Sequence, residues 1–285
     1  MPTKPTLTTF LDKPSDADRE FVLFAAPLDI TTSYRSGTRF GPDAIRRESR
    51  FLDTYSTRHR LDWDDLSLGD IGDVDCDTVD ACLFNVGETI RRIVSFPVML
   101  GGEHTITLGA LRALRPELVV VFDAHLDLHD ELFGEHLCHA TYLRRAIEEL
   151  QCRAVIVGVR ALSGEEVAYV DTNDDVEYIT AQICIREPEA VVKRLRRAVE
   201  AVDSVYLSID MDVLDPAYAP AVGNPHPEGL STSLLLDEVD AVVRSRVVGM
   251  DLNELYPHYD SGVTATTAAY LIMETLYGLL RHRNG

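Results

Sequence analysis

Short runs of apolar, β-branched residues alternate along this chain with segments of helical periodicity, and this alternation constrains the fold more than any other feature. The runs are 21–25, 97–100, 118–122, 154–159, 205–209 and 247–250, with a weaker one at 176–179. Between them, apolar residues recur at three- and four-residue spacing, most clearly over 140–150, 188–202, 234–244 and 264–281. Because continuous apolar runs are typical of strands buried on both faces, the sequence predicts an α/β fold with a mainly parallel sheet covered by helices on both sides.

The length and composition favour one globular domain. The chain has 285 residues, of which 46% are hydrophobic and 26% charged, and no repeat, low-complexity stretch or Pro/Gly-rich linker divides it. We predict a flexible N-terminal arm at 1–18 and a single catalytic domain at 19–285. No apolar run approaches the roughly 20 residues of a membrane span, and 1–20 is polar, which predicts a cytoplasmic protein with no membrane partner.

Charge and cysteine content bear on partners and on the cell compartment. The chain has 27 Lys and Arg against 47 Asp and Glu, for a net charge of −20, and such a surface repels nucleic acid. This balance is typical of a halophilic protein from a high-salt cytoplasm, and a cation-binding protein of an ordinary habitat is the alternative. The five cysteines are odd in number and lack C-x-x-C spacing, so we expect reduced, mostly buried thiols.

Acidic and imidazole side chains follow four of the predicted strands. They are His104 after 97–100; Asp123, His125 and Asp127 after 118–122; Asp210 and Asp212 after 205–209; and Glu254 after 247–250. In an open parallel sheet, ligands bind beyond the carboxyl ends of the strands. We therefore expect these side chains to form one site.

The spacing of these residues indicates a metal centre. Asp123, His125 and Asp127 stand at i, i+2 and i+4, which lets all three point to one side of an extended backbone, and Asp210 and Asp212 repeat the pattern. Gathering so many carboxylates is unfavourable unless cations lie among them. With His104 there are six candidate ligands, more than the usual three of a catalytic zinc, which favours two metals. The oxygen-rich set favours Mn, with Co, Ni, Zn and Fe as alternatives, whereas a lone Asp-x-His-x-Asp could also be a hydrogen-bonded surface turn.

Three motifs resemble the signatures of the ureohydrolase family, which contains the arginases and agmatinases. They are GGEH at 101–104, DAHLD at 123–127 and SIDMDVLDPAYAP at 208–220, and the run TSYRSGTRFGPDAIR at 32–46 is similar to the agmatinase branch in particular. The resemblance extends from about residue 32 to residue 276. It implies an arginase-like three-layer α/β/α sandwich, two Mn(2+) per subunit and a homo-oligomer, either a trimer or a hexamer. It also implies that one ion is held by His104, Asp123, Asp127 and Asp210, and the other by His125, Asp123, Asp210 and Asp212.

The resemblance further implies three catalytic roles. Glu254, within GMDLNELYPHYD, matches the carboxylate that holds a guanidinium through two parallel hydrogen bonds. His139 matches the histidine that protonates the leaving amine, with His136 as the alternative and Cys138 as a residue of the pocket lining. Asp127 is expected to stabilise the tetrahedral intermediate together with the metals.

The acidic segment between Asp127 and His139 bears on the substrate. Asp130, Glu131 and Glu135 would repel an α-carboxylate and tolerate a second ammonium group, which favours agmatine over arginine; the alternative is that these acids simply face solvent. We therefore predict an agmatinase that converts agmatine to putrescine and urea in polyamine biosynthesis. The alternatives are a guanidinobutyrase, an aminopropylagmatine ureohydrolase, an arginase, and a non-catalytic metal-binding relative. The loop AVGNPHPE at 221–228, which departs from the family pattern, is expected near the pocket.

Overall fold

The computed structural model describes residues 3–244 and 246–283, and of Arg283 the backbone only. Its strands are β1 (Thr3–Lys4), β2 (Phe21–Ala26), β3 (Leu68–Val74), β4 (Phe96–Gly101), β5 (Leu118–Phe122), β6 (Arg153–Val159), β7 (Val176–Thr180), β8 (Val205–Asp210) and β9 (Val247–Asn253). Its α-helices are α1 (Gly41–Ser49), α2 (Val79–Arg92), α3 (Thr107–Leu114), α4 (Tyr142–Leu150), α5 (Gly164–Asp171), α6 (Ala181–Arg186), α7 (Pro188–Glu200), α8 (Thr232–Val242) and α9 (Val263–Arg283). All seven strands predicted from the apolar runs are present, as are the four clearest helices.

The strands described by the structure form one sheet in the order β1-β3-β2-β4-β9-β8-β5-β6-β7. The β1 strand pairs with β3 in antiparallel fashion, and every other neighbouring pair is parallel. The predicted mainly parallel α/β/α sandwich is confirmed. The four strands whose ends carry the candidate site residues, β4, β9, β8 and β5, are consecutive at the centre of the sheet, so their carboxyl ends meet along one edge.

Buried apolar side chains cover both faces of the sheet, as a parallel sheet requires. On β2, Leu23 and Ala25 belong to the core beneath α1, α7, α8 and α9, whereas Val22 and Phe24 belong to the core beneath α2, α3 and α4. These two cores hold the central strands rigidly, and the strand ends therefore provide a fixed platform for the site.

Helix α9 is the longest helix of the described chain. The stretch Val263–His282 is long and apolar enough to span a membrane, but 78% of its most apolar window is buried inside the protein. It packs against α1 and α8. Its apolar character is therefore that of a core helix.

Strand β3 was not predicted, because Gly69, Asp70 and Gly72 interrupt its apolar pattern. Asp70 is fully buried and forms an ion pair with the fully buried Arg46 of α1, with 2.7 Å between Arg46 Nε and Asp70 Oδ2. A buried carboxylate paired in this way is compatible with a strand interior. The polar residues of β3 therefore prevented its prediction from the sequence, although the charge of Asp70 is neutralised by Arg46 of α1.

The N-terminal segment predicted as a flexible arm makes specific contacts in its described part, 3–18. Phe10 is fully buried, and its backbone N–H donates to Asp70 Oδ2 at 2.9 Å. Glycine is required where the segment crosses β3, because a Cβ on Gly69 would lie 1.8 Å from the carbonyl oxygen of Asp16. These contacts hold the segment against the edge of the sheet, whereas its flexibility stays a prediction.

The expectation of reduced cysteines is wrong for Cys76 and Cys82, which form a disulfide. Their Cα atoms lie 4.2 Å apart because the loop after β3 turns back directly into the first turns of α2. The six-residue separation alone could not show this proximity. Cys138, Cys152 and Cys184 are free and buried, as expected.

The buried carboxyl group of Glu238, on α8, makes the stability of the fold depend on pH. Glu238 is fully buried, and neither of its carboxylate oxygens has a hydrogen-bond partner among the residues that the structure describes. Burial raises the pKa of Glu238 from 4.5 to about 7. Between these values the folded state binds more protons than the unfolded state, so this group lowers stability progressively as the pH rises from 4.5 to 7.

We expect Glu238→Met to remove this penalty. Relative to the native protein, the variant should gain little at pH 4.5 and on the order of 3 kcal/mol of unfolding free energy at pH 8. Urea unfolding at both pH values measures the difference, with Glu200→Gln, at the exposed end of α7, as the control. An equal gain or loss at both pH values would contradict the assignment.

Candidate active site

The predicted metal ligands converge at the carboxyl ends of the central strands. Asp123 directly follows β5 and Asp210 ends β8, and the two lie side by side because Phe122 pairs with Ile209 in the sheet. His104 begins a single 3-10 turn after β4, and Asp212 lies in a similar turn after β8. The local turns thus bring residues from three strands to one point.

Two groups of side chains are close enough for each to hold a metal ion. The ligand atoms of His104, Asp123 and Asp210 lie within 4.8 Å of one another, as do those of Asp123, His125 and Asp212. His104 Nδ1 lies 3.2 Å from Asp123 Oδ2 and 3.3 Å from Asp210 Oδ2. His125 Nδ1 lies 3.0 Å from Asp212 Oδ2 and 3.5 Å from Asp123 Oδ1. Asp123 is therefore shared, with one carboxylate oxygen facing each group.

Asp127 joins the first group from an unusual backbone conformation. Its Oδ2 lies 3.4 Å from His104 Nδ1. Its φ is 55°, and Glu254 has a φ of 64°, which places both residues in the left-handed region that residues other than glycine seldom adopt. Strained backbone persists where the surrounding structure imposes it and is concentrated at functional sites. Two of the three predicted catalytic residues share this property.

Burial and mutual repulsion dominate the electrostatics of the cluster. Burial, together with the charge on Asp123, raises the pKa of Asp127 to about 7. Burial and the neighbouring Asp212 raise the pKa of Asp210 well above its ordinary value. Cations among these carboxylates would offset the repulsion and keep them ionised.

The surroundings of His104 fit a metal ligand. Its Nε2 lies 2.8 Å from Ser208 Oγ and 2.9 Å from the hydroxyl of Tyr142, while Ser208 Oγ donates to Asp251 Oδ1 at 2.5 Å. Its Nδ1 faces the carboxylates, is buried, and has no hydrogen-bond partner among the described residues. A histidine held at one ring nitrogen, with the other directed at carboxylates, is the usual arrangement of a metal-binding imidazole.

A cavity of about 310 Å³ opens onto this cluster, a size suited to a small molecule. The predicted site residues that line it are His125, Asp127, His139, Asp210, Asp212 and Glu254. The remaining two, His104 and Asp123, contact these lining residues from the protein interior. The structure thus brings all eight predicted site residues together.

Glu254 presents its carboxylate to the cavity from one residue beyond β9. The backbone N–H of His104 donates to its Oε1 at 2.7 Å, and the hydroxyl of Tyr256 donates to its Oε2 at 2.7 Å. Burial raises the pKa of Glu254 to about 8, against the opposing effect of the Tyr256 hydrogen bond. The carboxylate is therefore held in one orientation by protein donors on both oxygens.

His139 lies on the cavity wall in the loop before α4. Its Nε2 lies 3.2 Å from Ser33 Oγ, and its backbone N–H donates to Thr31 Oγ1 at 3.3 Å. Burial lowers the pKa of His139 to about 4, so the imidazole is neutral at neutral pH. The alternative, His136, has a side chain that is 65% exposed and lies outside the cavity. Cys138 is buried and lines a neighbouring groove instead of this cavity.

The acidic residues expected to select the substrate lie outside the cavity. Asp130 pairs with Arg145 at 2.7 Å, and Glu131 lies 3.6 Å from His136 Nε2. Neither they nor Glu135 belong to the cavity lining. The same segment contributes His129 and Leu132 to the cavity instead, and the effect of its three acids on substrate choice stays a prediction.

Sequence reasoning missed several residues of the cavity wall. They are Ser33, Arg35, Ser163, Glu166 and Tyr256, whereas Asn224 belongs to the 221–228 loop that was expected near the pocket. Ser33, Arg35 and Tyr256 lie within segments that the motif comparison had already singled out, so their position could have been noted. Glu166 carries no such signal, because it starts α5 as the partner of Ser163 in a capping box and reaches the cavity through the fold alone.

Comparison with known proteins agrees with this geometry. Residues 19–278 match the model of the Arginase family. The chain is 37% identical to a guanidinobutyrase of Pseudomonas aeruginosa, over 93% of this chain and 88% of that protein, and 35% identical to an N(1)-aminopropylagmatine ureohydrolase of Thermococcus kodakarensis, over 90% and 89%. The crystal structure of the agmatine ureohydrolase of Thermoplasma volcanium superposes with a TM-score of 0.90 at 31% identity, over 98% of this chain and 96% of that one.

The family resemblance stated from the sequence motifs is thereby confirmed. The match covers nearly the whole domain, includes every strand of the central sheet except β1, and extends over all of the predicted site residues. The chain belongs to the arginase family of binuclear metal hydrolases, which act on guanidino groups.

Proposed function

We propose that the protein is an agmatinase that hydrolyses agmatine to urea and putrescine with two Mn(2+) per subunit. One observation carries this proposal: two ligand groups that share Asp123 lie at the floor of a cavity whose wall presents the carboxylate of Glu254. A binuclear floor suits hydrolysis, and a buried carboxylate beside it suits a guanidinium.

The donor set supports a pair of hard divalent cations. His104, Asp123, Asp127 and Asp210 would hold one ion, while His125 and Asp212, with shared oxygens of Asp123 and Asp210, would hold the other. Carboxylates outnumber imidazoles in both groups, which favours Mn over metals that prefer thiolates. When bound, the pair supplies activated water near neutral pH for attack on the guanidinium carbon, which is otherwise a poor electrophile.

Three residues at the cavity perform substrate orientation, proton transfer and stabilisation of the intermediate. Glu254 orients the planar guanidinium by accepting two parallel N–H bonds. The neutral imidazole of His139 accepts the proton that the attacking water releases and returns it to the leaving amine. Asp127, already constrained in its backbone, stabilises the tetrahedral intermediate.

Glu166 supports a substrate with a positively charged tail. Apart from Glu254 and the candidate metal ligands, it is the carboxylate that the described cavity wall contains, and its Oε1 accepts the backbone N–H of Leu128 while its Oε2 accepts that of Ser163. A terminal ammonium would be attracted to this part of the wall, whereas the carboxylate of arginine would be repelled. Agmatine has such an ammonium.

Guanidinobutyrate is the second candidate, because Arg35 also lines the cavity. Its Nη1 donates to the carbonyl oxygens of Pro220 and Val222 at 3.3 and 2.9 Å, and its guanidinium lies 4.4 Å from the ring centre of Tyr259. Part of the guanidinium of Arg35 is therefore already engaged with the backbone at 220 and 222, and fewer of its N–H groups are left to bind a substrate carboxylate. We therefore rank agmatine first.

Assembly and cellular setting complete the proposal. A homo-oligomer, either a trimer or a hexamer, stays a prediction. A role in polyamine biosynthesis, a cytoplasmic location and a halophilic habitat stay predictions.

A substrate panel tests the assignment. With Mn present, we expect kcat/KM for agmatine to exceed the values for guanidinobutyrate and arginine by roughly tenfold or more, measured as urea release. Glu166→Gln should lower the ratio of kcat/KM for agmatine to kcat/KM for guanidinobutyrate. The side chain of Glu165 is 53% exposed, and Glu165→Gln should leave this ratio unchanged. A preference for guanidinobutyrate or arginine in the native protein would reject agmatine as the substrate.

The shared ligand Asp123 provides a test of the metal pair. Because its two oxygens face different groups, Asp123→Asn should lower the content of both ions, whereas Asp212→Asn should leave about one Mn per chain. Elemental analysis after equilibration with Mn and desalting measures this. Asp130→Asn, outside the cavity, is the control and should retain both ions. Full occupancy in Asp123→Asn would be incompatible with a bridging role.

The role of Glu254 is separable from metal binding. Glu254→Gln keeps the shape of the side chain and removes the charge that holds the guanidinium, so kcat/KM should fall roughly a hundredfold or more. Metal content should stay unchanged, which elemental analysis checks. Unchanged turnover would rule out this role.

A further inference from the structure

The hydroxyl of Tyr256 is in direct contact with the carboxylate that binds the guanidinium. Tyr256 is 2% exposed, lines the cavity, and donates to Glu254 Oε2 at 2.7 Å. The other oxygen, Oε1, accepts the backbone N–H of His104 at the same distance. Each oxygen of Glu254 thus has one protein donor.

The position of Tyr256 is set by the backbone, independently of substrate. Glu254 adopts a left-handed conformation, and the ring two residues later lies beside its carboxylate. The backbone N–H of Tyr256 donates to the carbonyl oxygen of Ala221 at 2.9 Å, and Val222 pairs with Leu255. A Cβ on Gly223 would lie 2.8 Å from the Tyr256 hydroxyl, so glycine at 223 leaves the room that the phenol occupies.

The number of free acceptor sites on the Glu254 carboxylate equals the number of parallel N–H bonds that a guanidinium donates to it. A guanidinium bound beside Glu254 favours the ionised form of its carboxyl group, and an ionised carboxylate offers about four lone-pair sites, two on each oxygen. Protein donors use one on Oε1 and one on Oε2, which leaves one on each. A guanidinium donates two parallel N–H bonds, one to each oxygen of a carboxylate.

We propose that Tyr256 is a positioning residue that fixes the rotation of the Glu254 carboxylate so that its two free acceptor sites face the guanidinium. The proposal rests on the role of Glu254 in the proposed function, but it does not depend on which tail the substrate carries. Tyr256 would thus contribute to substrate binding indirectly, through the orientation of Glu254.

Tyr256→Phe tests this, because it removes the hydroxyl and keeps the ring. We expect KM to rise roughly tenfold, with a smaller change in kcat, and by the same factor for agmatine and guanidinobutyrate. The inhibition constant of guanidinium ion, which has no tail, should rise by a similar factor. Metal content should stay at the native value.

Tyr259→Phe is the matched control, since its ring lies 6.4 Å from that of Tyr256 and outside the cavity lining. We expect its KM and guanidinium inhibition constant to equal the native values. Should Tyr256→Phe fail to fold, Gly223→Ala, which would displace the phenol, should raise the guanidinium inhibition constant instead.

A Tyr256→Phe protein with native guanidinium inhibition overturns the proposal, even if its melting temperature or kcat falls, because that result describes a structural role. If this variant does not fold, native inhibition in Gly223→Ala overturns it. Since guanidinium ion carries no tail, these outcomes are distinct from a failure of the agmatine assignment, which only the substrate panel reports.

Discussion

Repulsion among buried carboxylates is the constraint on which the rest of this structure depends. Four consecutive central strands end in acidic or imidazole groups, and the sheet order β4-β9-β8-β5 brings them within a few ångströms of one another. Burial, together with this crowding, raises the pKa values of Asp127 and Asp210. A pair of divalent cations is the simplest way to keep these groups ionised and buried, and the same pair supplies the chemistry of the family.

The protein supports this arrangement with a network of buried hydrogen bonds. Behind His104, the buried Asp251 accepts hydrogen bonds from Ser208, Tyr206, Thr107 and Asn253. Such a network disperses the charge of Asp251 and sets the orientation of the imidazole through Ser208. On the cavity side, Tyr256 and the backbone of His104 hold Glu254. The reacting groups are thus positioned before substrate arrives.

Much of the fold and the metal cluster could be predicted from the sequence, because doubly buried strands leave apolar runs and the site residues follow those runs directly. Strand β3 escaped prediction because Asp70 is neutralised by Arg46, a partner distant in sequence. The outward course of Asp130 and the entry of Glu166 into the cavity depend on loop paths that local patterns do not encode. Tyr256 lies within the motif at 249–260, but its contact with Glu254 depends on a local backbone path that includes a left-handed residue, which no spacing rule anticipates.

The central claim is that two cations allow the clustered acids and imidazoles to coexist. Crystals of the protein grown with Mn, and measured at the Mn absorption edge, test it most directly. The account predicts two anomalous peaks per chain, roughly 3.5–4 Å apart, one among His104, Asp123 and Asp210 and one among Asp123, His125 and Asp212. A single peak, or none at saturating Mn, would contradict it.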